Sequence, residues 1–358
     1  MSKVEISDGR GIMAGMFCNQ NRDITKDDWL REVFPEWGTY LNKQIEHTQV
    51  EKGQVALWWF GGPSFGLKTS SGEVFIIDNY AGPSLFTEYY YCGVCRTSGA
   101  KSIDWLRCGP MVIDPWEFKR LDAVFCSHHH QDHTDFYTIK ATLKTTDCMY
   151  VGSKSAAKKM RSFDVPEDRI KEVVPGDTVK IGNTEVQMLL NYDTMAALTG
   201  AKDPGELQDI RDVAVSFLFK TEGGNILILA DTLYSNGYAA FKKYDIDLCL
   251  TNMGYAPPGA TDKMNPFDAF RVAQAVGAKY LLPYHYDNWA NSVEDPTTLE
   301  YIVEKKRKEN RTDMKTIILQ PGARLIYPAE KDIGRYSYPD CVERYEPDYS
   351  WEYGKPRE

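Results

Sequence analysis

The stretch Ser127–Asp135, SHHHQDHTD, contains four of the six histidines in a chain of 358 residues. Histidine is the commonest metal ligand among side chains, so this concentration predicts a metal site. The apolar segment LDAVFC, which comes directly before it, predicts a β-strand. If the backbone stays extended beyond this strand, His128 and His130 point to one side and His129 points to the other.

The next two candidate ligands, Asp132 and His133, are sequence neighbours, and a regular strand would send their side chains to opposite faces. They can converge at a turn that begins a helix, and Thr134 and Asp135 are residue types found where helices begin. The pattern H-x-H-x-D-H therefore places four candidate ligands at the carboxyl end of one strand. The alternative is a polar surface turn that binds metal only fortuitously.

Three later strand-like segments also end in a candidate ligand. MLLNYD ends in Asp193, ILILAD ends in Asp231, and YLLPYH ends in His285. An aspartate after a strand is common and usually caps a helix, so each residue alone would be a weak signal. One turn cannot fill two metal sites, however, and these three residues supply the partners that a two-metal centre requires.

The order of the predicted elements indicates the architecture. Each half of the chain has a run of strands followed by alternating helices and strands; the second half opens with a hairpin across Gly223-Gly224. Two similar halves predict an α/β (α+β) fold, a four-layer αββα sandwich in which two mixed sheets face each other with helices outside. Residues 1–26 are predicted to form an N-terminal arm, and residues 27–358 a single domain with a helical N-terminal segment and an aromatic C-terminal tail.

The composition narrows the classes of partner and the compartment. A formal net charge of −9 argues against general affinity for nucleic acid or an acidic membrane surface. The sequence has no apolar run that would span a bilayer and no signal peptide, so we predict a cytoplasmic protein. The eight cysteines are irregularly spaced, which predicts reduced thiols. Cys92, Cys95 and Cys108 lack a nearby fourth ligand for a zinc site.

A set of six histidine and aspartate residues in this order resembles the ligands of the metallo-β-lactamase superfamily: His128, His130, Asp132, His133, Asp231 and His285. Within that superfamily, the segments FPEWGTYLNKQIE, ALWWFGG, GATDKM and LLPYHYDNWAN resemble the L-ascorbate-6-phosphate lactonase family. The likeness runs from about Trp29 into the C-terminal region. It implies that the four-layer sandwich is of the metallo-β-lactamase type.

The resemblance also implies two metal sites that share the carboxylate of Asp231. The first would be held by His128 and His130. The second would be held by Asp132, His133 and His285. The superfamily usually places a third histidine at the first site, but the stretch QMLLNYD contains none.

Asp193 is the only substitute in that stretch, and lactonase relatives resemble this sequence in having an aspartate there. An oxygen-rich site favours Mn²⁺ relative to Zn²⁺. The resemblance points to Mn²⁺ as well. We therefore expect one or two divalent ions, with Mn²⁺ favoured and Zn²⁺ as the alternative.

The function implied by the resemblance is hydrolysis of a small phosphorylated sugar lactone. The most direct candidate is conversion of L-ascorbate 6-phosphate to 3-keto-L-gulonate 6-phosphate by a metal-bound hydroxide, with Asp132 as the catalytic residue that orients it. The sequence has no G-x-S-x-G motif for a nucleophilic serine, which fits this reading. Arg211 and Lys263 are candidate phosphate ligands, and Asn236 is a further candidate for the pocket. Ordinary surface charge or a structural ion pair is the alternative for either cation.

Other functions stay open at this point. A metal-dependent phosphodiesterase that acts on a small phosphodiester would use the same centre, as would a lactonase for another sugar lactone. A metal-binding protein without turnover is disfavoured by the complete ligand set. We also predict a homo-oligomer. The tail RYSYPDCVERYEPDYSWEY is densely aromatic, and we predict that it packs either over its own domain or at a subunit interface. Tyr80–Gly109 is predicted to form a lid or a subunit contact.

Overall fold

The computed structural model of the chain describes residues 21–33, 35, 38–82, 107–199, 207–255, 262–290 and 292–334. Most of the predicted N-terminal arm, most of the Tyr80–Gly109 segment with Cys92 and Cys95, and the aromatic tail lie outside these ranges. The division of the chain into an arm and one domain therefore stays a prediction. Within these ranges, no helix is long and apolar enough to cross a membrane.

The first of two seven-stranded sheets contains most of the strands of the first half of the chain. In spatial order its strands are β14 (Arg324–Tyr327), β1 (Val55–Gly61), β2 (Ser64–Thr69), β3 (Val74–Ile77), β4 (Ala123–Cys126), β5 (Met149–Ser153) and β6 (Ile170–Val173). Neighbours are antiparallel from β14 to β3 and parallel from β3 to β6. Strands β1, β2 and β3 therefore form an antiparallel meander.

The second sheet repeats this plan. In spatial order its strands are β7 (Thr178–Ile181), β8 (Thr184–Leu190), β9 (Val215–Thr221), β10 (Gly224–Ile228), β11 (Leu248–Asn252), β12 (Tyr280–Tyr284) and β13 (Lys315–Thr316). Neighbours are antiparallel from β7 to β10 and parallel from β10 to β13. The hairpin predicted at Gly223-Gly224 joins β9 to β10. The two halves of the chain therefore have matching strand plans, as the sequence pattern predicts.

The described helices are α1 (Lys26–Val33), α2 (Tyr40–His47), α3 (Phe136–Thr145), α4 (Lys154–Ser162), α5 (Thr194–Thr199), α6 (Ile210–Val213), α7 (Pro266–Val276) and α8 (Pro296–Lys308), with 3₁₀ turns at Glu167–Arg169 and Asn236–Tyr244. Tyr238 lies in the second of these 3₁₀ segments. The apolar segment TIILQPG contributes only its first residue, Thr316, to the two-residue β13. Strand β14 is not predicted by the sequence pattern.

The face between the sheets is filled by large apolar side chains from both halves of the chain. Phe125 of the first sheet has its ring centroid 5.3 Å from that of Phe217 and 5.0 Å from that of Phe219, both in the second sheet. Phe75 in β3 lies 5.7 Å from Phe125 and 5.9 Å from Phe219. The four rings are fully buried, so one continuous core joins the sheets.

Helices cover the outer faces of both sheets. On the first sheet, Trp29 of α1 and Leu41 of α2 are fully buried in a second core with Trp58 and Ile76. On the second sheet, α7 packs on β11 and β12. Alternating residues of β1 and β3 thus point to different cores, as the period of two in a strand requires. The four-layer αββα sandwich predicted from the sequence is confirmed.

Candidate metal centre

The structure brings all seven predicted ligands together beyond the carboxyl ends of β4, β8, β10 and β12. Their potential ligand atoms form groups in which all atoms lie within 4.8 Å of one another. Two of these groups coincide with the predicted sites. We define site one as His128, His130 and Asp193. We define site two as Asp132, His133 and His285.

Site one joins the histidine turn of the first sheet to a carboxylate of the second. His128 Nε2 lies 3.6 Å from Asp193 Oδ2 and 2.9 Å from His130 Nδ1. His128 and Asp193 are fully buried, whereas His130 is partly exposed. Asp193 is fixed by its neighbours, because its Oδ1 accepts a hydrogen bond from the backbone N–H of Ala196 at 2.8 Å. Site one therefore opens toward the surface on the side of His130.

Site two is buried on all sides. His285 Nε2 lies 3.3 Å from Asp132 Oδ2, and His133 Nε2 lies 3.7 Å from Asp132 Oδ1. Asp231 stands beside this group, with Oδ1 at 3.4 Å from His285 Nε2 and Oδ2 at 3.4 Å from His133 Nε2. Asp231 also groups with His128 of site one. Its carboxylate therefore lies between the sites, which is the position that a bridging ligand requires.

Three residues at this edge of the sheets have a backbone conformation that side chains disfavour. Asp78 after β3, Ala230 after β10 and His285 after β12 have φ values of 46°, 61° and 68°. Non-glycine residues are uncommon in this left-handed region, and they persist there only where the surrounding structure holds them. The chain turns sharply at each point, and these turns aim Asp78, Asp231 and His285 across the strand ends.

The hydrogen bonding of the candidate ligand atoms indicates whether a metal ion fits between them. His133 Nε2, His285 Nε2, Asp231 Oδ1 and Asp193 Oδ2 are buried and have no hydrogen-bond partner among the described residues. Buried polar atoms of this kind are rare in folded proteins and require an explanation. A divalent ion would give these converging nitrogen and oxygen atoms a common partner, and histidine with carboxylate is a donor set that Mn²⁺, Fe²⁺ and Zn²⁺ accept. The residues therefore fit divalent metal ions.

Asp78 orients one histidine from each site, a role that the sequence analysis missed. Its Oδ2 accepts hydrogen bonds from His133 Nδ1–H at 2.9 Å and from the hydroxyl of Ser127 at 2.7 Å. Because the Ser127 hydroxyl donates to Asp78, it accepts from His128 Nδ1–H at 2.9 Å. Both rings thereby present Nε2 to the centre. Asp78 ends the strand-like segment EVFIID, which is the signal that marks Asp231 and was available here.

Thr199 orients His130 in the same way. Its hydroxyl donates to the carbonyl oxygen of Met195 at 2.7 Å and therefore accepts from His130 Nε2–H at 2.6 Å. This leaves His130 Nδ1 facing site one. His129 points away from the ligands, as expected, and contacts the hydroxyls of Ser155 and Thr199 at 3.3 and 3.1 Å.

Asp132 is held by two donors that follow His285 in the sequence. The side-chain amide of Asn288 and the indole N–H of Trp289 each donate to Asp132 Oδ2 at 3.2 Å. Burial alone would favour the neutral acid, but the neighbouring His133 and His285 lower the pKa of Asp132. Asp132 is therefore held in the ionised form in one orientation. Asn288 and Trp289 lie in the segment LLPYHYDNWAN, but the sequence analysis assigned them no role.

Burial dominates the charge states of the site-one ligands. It lowers the pKa of His130 to about 3, so this ring is neutral at pH 7, the form that binds metal. Burial also raises the pKa of Asp193 well above its usual range, and the negative charge of Asp231 acts in the same direction. Without a cation Asp193 therefore favours its neutral, protonated form, and a divalent ion at site one would favour the carboxylate that binds metal.

The three predicted substrate contacts are in different surroundings. Lys263 is buried, and its Nζ lies 2.5 Å from Asp231 Oδ2. Arg211 in α6 and Asn236 at the start of the 3₁₀ segment are exposed, and neither forms a hydrogen bond or ion pair with the seven ligands within the described ranges. Asp262, which the sequence analysis missed, forms a further group of potential ligand atoms with His130 and Asp231. It stands directly before Lys263 in GATDKM.

A comparison with protein families places this fold and site in a known class. Residues 102–286, just over half of the chain, match the family described as Beta-lactamase superfamily domain. The fold and the buried histidine–aspartate cluster define a metal-dependent hydrolase of this class.

Curated relatives narrow the class. The chain is 34% identical over 340 residues to the probable L-ascorbate-6-phosphate lactonase UlaG of Salmonella paratyphi B. The match covers 89% of this chain and 95% of the relative. The corresponding protein of Salmonella newport is similar to the same extent. The chain therefore belongs to the metallo-β-lactamase superfamily and, within it, to the L-ascorbate-6-phosphate lactonase family, which confirms the resemblance seen in the sequence.

Solved structures support the fold. The metallo-hydrolase Igni18 of Ignicoccus hospitalis has a TM-score of 0.54 at 14% identity, and the match covers 76% of this chain and 98% of that one. An isothiocyanate hydrolase from Delia radicum gut bacteria has a TM-score of 0.54 at 17% identity, with 76% and 99% covered. At this identity the likeness concerns the fold alone.

Proposed function

We propose that this chain opens the lactone ring of a phosphorylated sugar acid, with L-ascorbate 6-phosphate as the first candidate and 3-keto-L-gulonate 6-phosphate as the product. The observation that carries the proposal is the cluster of buried donor atoms without partners, found in a chain that aligns with lactonase relatives over nearly its whole length. An ester bond in a ring needs only an activated water and a polarised carbonyl oxygen, and no serine nucleophile.

The roles of the side chains follow from the geometry. When bound, divalent ions in such a centre supply a nucleophilic water at neutral pH and polarise a carbonyl oxygen. Sites one and two would hold the ions, with the Asp231 carboxylate between them. Asp132 would orient the attacking water, because His133 and His285 favour its ionised form and the donors of Asn288 and Trp289 hold it in a fixed position.

The donor set supports Mn²⁺ as the native metal, with Zn²⁺ as the alternative. Site one has a carboxylate at the position where the superfamily usually has a third histidine, and the carboxylates of Asp231 and Asp262 lie beside it. Oxygen donors are harder ligands than imidazole and favour Mn²⁺ relative to Zn²⁺. The resulting expectation is higher turnover with Mn²⁺ than with Zn²⁺ at equal occupancy.

The substrate phosphate requires a cation or hydrogen-bond donors at the rim of the centre. Arg211 and Asn236 are exposed and accessible to a ligand, so they stay our candidates for this contact. Lys263 would act from inside the centre, since its ammonium is already paired with Asp231.

The test is hydrolysis of L-ascorbate 6-phosphate by metal-stripped protein to which Mn²⁺ or Zn²⁺ is returned. Turnover should reappear with metal in the wild type and fall by at least roughly 10³-fold in His130→Ala and Asp231→Ala, because several kcal/mol of transition-state stabilisation depend on the metals. His129→Ala is the matched control, since this histidine is adjacent in sequence but faces away from the ligands; it should retain activity within a few-fold.

Three outcomes would contradict parts of the proposal. If metal binds and the lactone stays intact, the named substrate is wrong, and other sugar lactones and the probe bis(4-nitrophenyl) phosphate would be assayed next. If turnover does not depend on metal, the roles assigned to sites one and two are wrong. If His129→Ala is as inactive as His130→Ala, the assignment of the two histidines is wrong.

A further inference from the structure

Lys263 is the cation nearest to the metal ligands among the described residues, and its position is unusual for a substrate contact. Its side chain is 4% exposed, and Nζ lies 2.5 Å from Asp231 Oδ2 and 3.7 Å from Asp262 Oδ2. A fully buried lysine is rare unless it is paired. Here both partners, Asp231 and Asp262, are carboxylates of the candidate metal centre. The ammonium is therefore part of the centre itself.

The backbone holds this lysine in place from both sides. The side-chain amide of Asn252, the last residue of β11, donates to the carbonyl oxygen of Asp262 at 2.5 Å. The backbone N–H of Gly254 donates to the carbonyl oxygen of Met264 at 3.0 Å. These two bonds fix the backbone on both sides of Lys263, so its side chain starts from a defined position beside Asp231.

The ammonium contacts only one of the two oxygens of Asp231. Oδ2 is the atom bound by Lys263, whereas Oδ1 faces His285 Nε2 at 3.4 Å and has no hydrogen-bond partner in the part of the chain that the structure describes. Asp262, the other partner of the ammonium, groups with His130 of site one. Oδ2 also lies 3.4 Å from His133 Nε2 of site two, but that site keeps Oδ1, which faces His285. The two carboxylates that group with His130 of site one, Asp231 and Asp262, are both paired with the ammonium, so Lys263 affects site one more than site two.

The histidine nitrogens that face the two sites also differ in how freely they could bind a metal ion. His133 Nε2 and His285 Nε2 of site two are buried without a partner, whereas His128 Nε2 and His130 Nδ1 of site one lie 2.9 Å apart and contact each other. A metal at site two would meet donors that are already directed toward it. A metal at site one would have to separate two donors and share Asp231 Oδ2 with a cation.

We propose that Lys263 is a positioning residue that makes the two metal sites unequal: site two binds a divalent ion first and tightly, and site one binds weakly because the ammonium already occupies Asp231 Oδ2. The ammonium of Lys263 and a divalent ion at site one would both be positively charged, and like charges this close together in a buried setting repel strongly. We expect the dissociation constants of the two sites to differ by at least about tenfold. The inference rests on the metal centre of the proposed function but not on its substrate.

The test is a titration of metal-stripped full-length protein with Mn²⁺, in which free Mn²⁺ is followed by electron paramagnetic resonance. In the wild type we expect one tight and one weak binding event. Asp193→Ala should remove the weak event, and His285→Ala should remove the tight one. Equal affinities in the wild type, or the opposite assignment in these two variants, would overturn the proposal.

Lys263→Met removes the charge and keeps a side chain of similar length, so the weak event should tighten by at least about tenfold and approach the tight one. Lys263→Arg is the matched control that keeps the charge and should keep the separation. If the wild type binds one ion and Lys263→Met binds two, the proposal is supported; if both bind the same number with the same affinities, it is wrong.

Folding is checked by circular dichroism before each titration. Should Lys263→Met fail to fold, Lys263→Gln takes its place, and the comparison of Asp193→Ala with His285→Ala tests the order of filling by itself. Since no step uses a lactone, failure of the proposed substrate leaves this result unaffected. Conversely, two equal metal sites in an active lactonase would reject the role of Lys263 alone.

Discussion

The two ends of strand β3 carry buried carboxylates that have different tasks. Glu73 stands before the strand and Asp78 after it, and they are 3% and 1% exposed. Glu73 accepts hydrogen bonds from the hydroxyls of Thr69 and Ser71 and from the backbone N–H of Asn183. These partners are structural.

Asp78 accepts from Ser127 and His133 instead, and both partners lead on to the metal ligands. Both carboxylates are buried and hydrogen-bonded, so neither property separates the structural end of the strand from the functional one. What separates them is what their partners are and contact next: His133 is itself a candidate metal ligand, and Ser127 contacts the candidate ligand His128, whereas Thr69, Ser71 and Asn183 are not among the candidate ligands.

The largest effect is expected in the middle of the strand, where Phe75 joins the two sheets through Phe125 and Phe219. Phe75→Ala should lower the free energy of unfolding by about 3–5 kcal/mol, because it removes a fully buried ring and leaves a cavity. Urea unfolding followed by circular dichroism measures this change. The folded variant should still bind the same number of Mn²⁺ ions; a loss of metal sites would show that the core and the centre are not separable.

A smaller effect is expected at the amino end. Hydrogen bonds to the Glu73 carboxylate, from the backbone N–H of Asn183 first and then from Ser71 and Thr69, outweigh its burial and lower its pKa from 4.5 to about 2. Glu73→Gln should cost roughly 1.5–3 kcal/mol of stability at pH 7, the range for hydrogen bonds to charged groups. Metal affinity should not change.

The pH dependence of the unfolding free energy tests whether the Glu73 carboxylate is the source of this stabilisation. Because the pKa of Glu73 is lower in the folded state, its contribution is complete above pH 4.5 and is lost as the pH falls toward 2. The difference in unfolding free energy between wild type and Glu73→Gln should therefore shrink as urea titrations are repeated from pH 7 to pH 3. A difference that is constant with pH would mean that the carboxylate is not stabilised by its partners.

The smallest effect on stability, but the clearest one on the site, is expected at the carboxyl end. Asp78→Asn keeps the shape but weakens the acceptor that orients His133 directly and His128 through Ser127. Both metal sites should lose about 10–100-fold in affinity, the usual result of removing such a support. Thr199→Val is the contrasting variant, because Thr199 supports His130 and so concerns site one alone. A chelator competition in which Asp78→Asn matched the wild type would remove the distinction between the two ends of β3.

Most of the ligands are predictable from sequence because the signal for each is local. The six residues from His128 to His133 combine a strand end, a turn and a helix start, and Asp231 and His285 each end an apolar run. The matching strand plans of the two sheets follow from the order of local patterns in the same way.

The remaining features depend on contacts between distant parts of the chain. Neither the pairing of Lys263 with Asp231 nor the donors that Asn288 and Trp289 direct at Asp132 can be read from spacing, because each joins segments far apart in sequence. Strand β14 was missed for the same reason. RLIY is short and lies just after Pro321-Gly322, and only its partner β1 gives it a strand conformation.

The pairing of β14 with β1 also has a consequence for how the protein is made. Tyr327 lies opposite Val55, so within the described ranges this edge of β1 is not covered by β14 until residues 324–327 have been synthesised. An uncovered strand edge is a template for association with other chains, and synthesis proceeds at about 5–20 residues per second. This edge of β1 is therefore uncovered during translation for the time needed to add the residues between β1 and β14, and β14 then protects it.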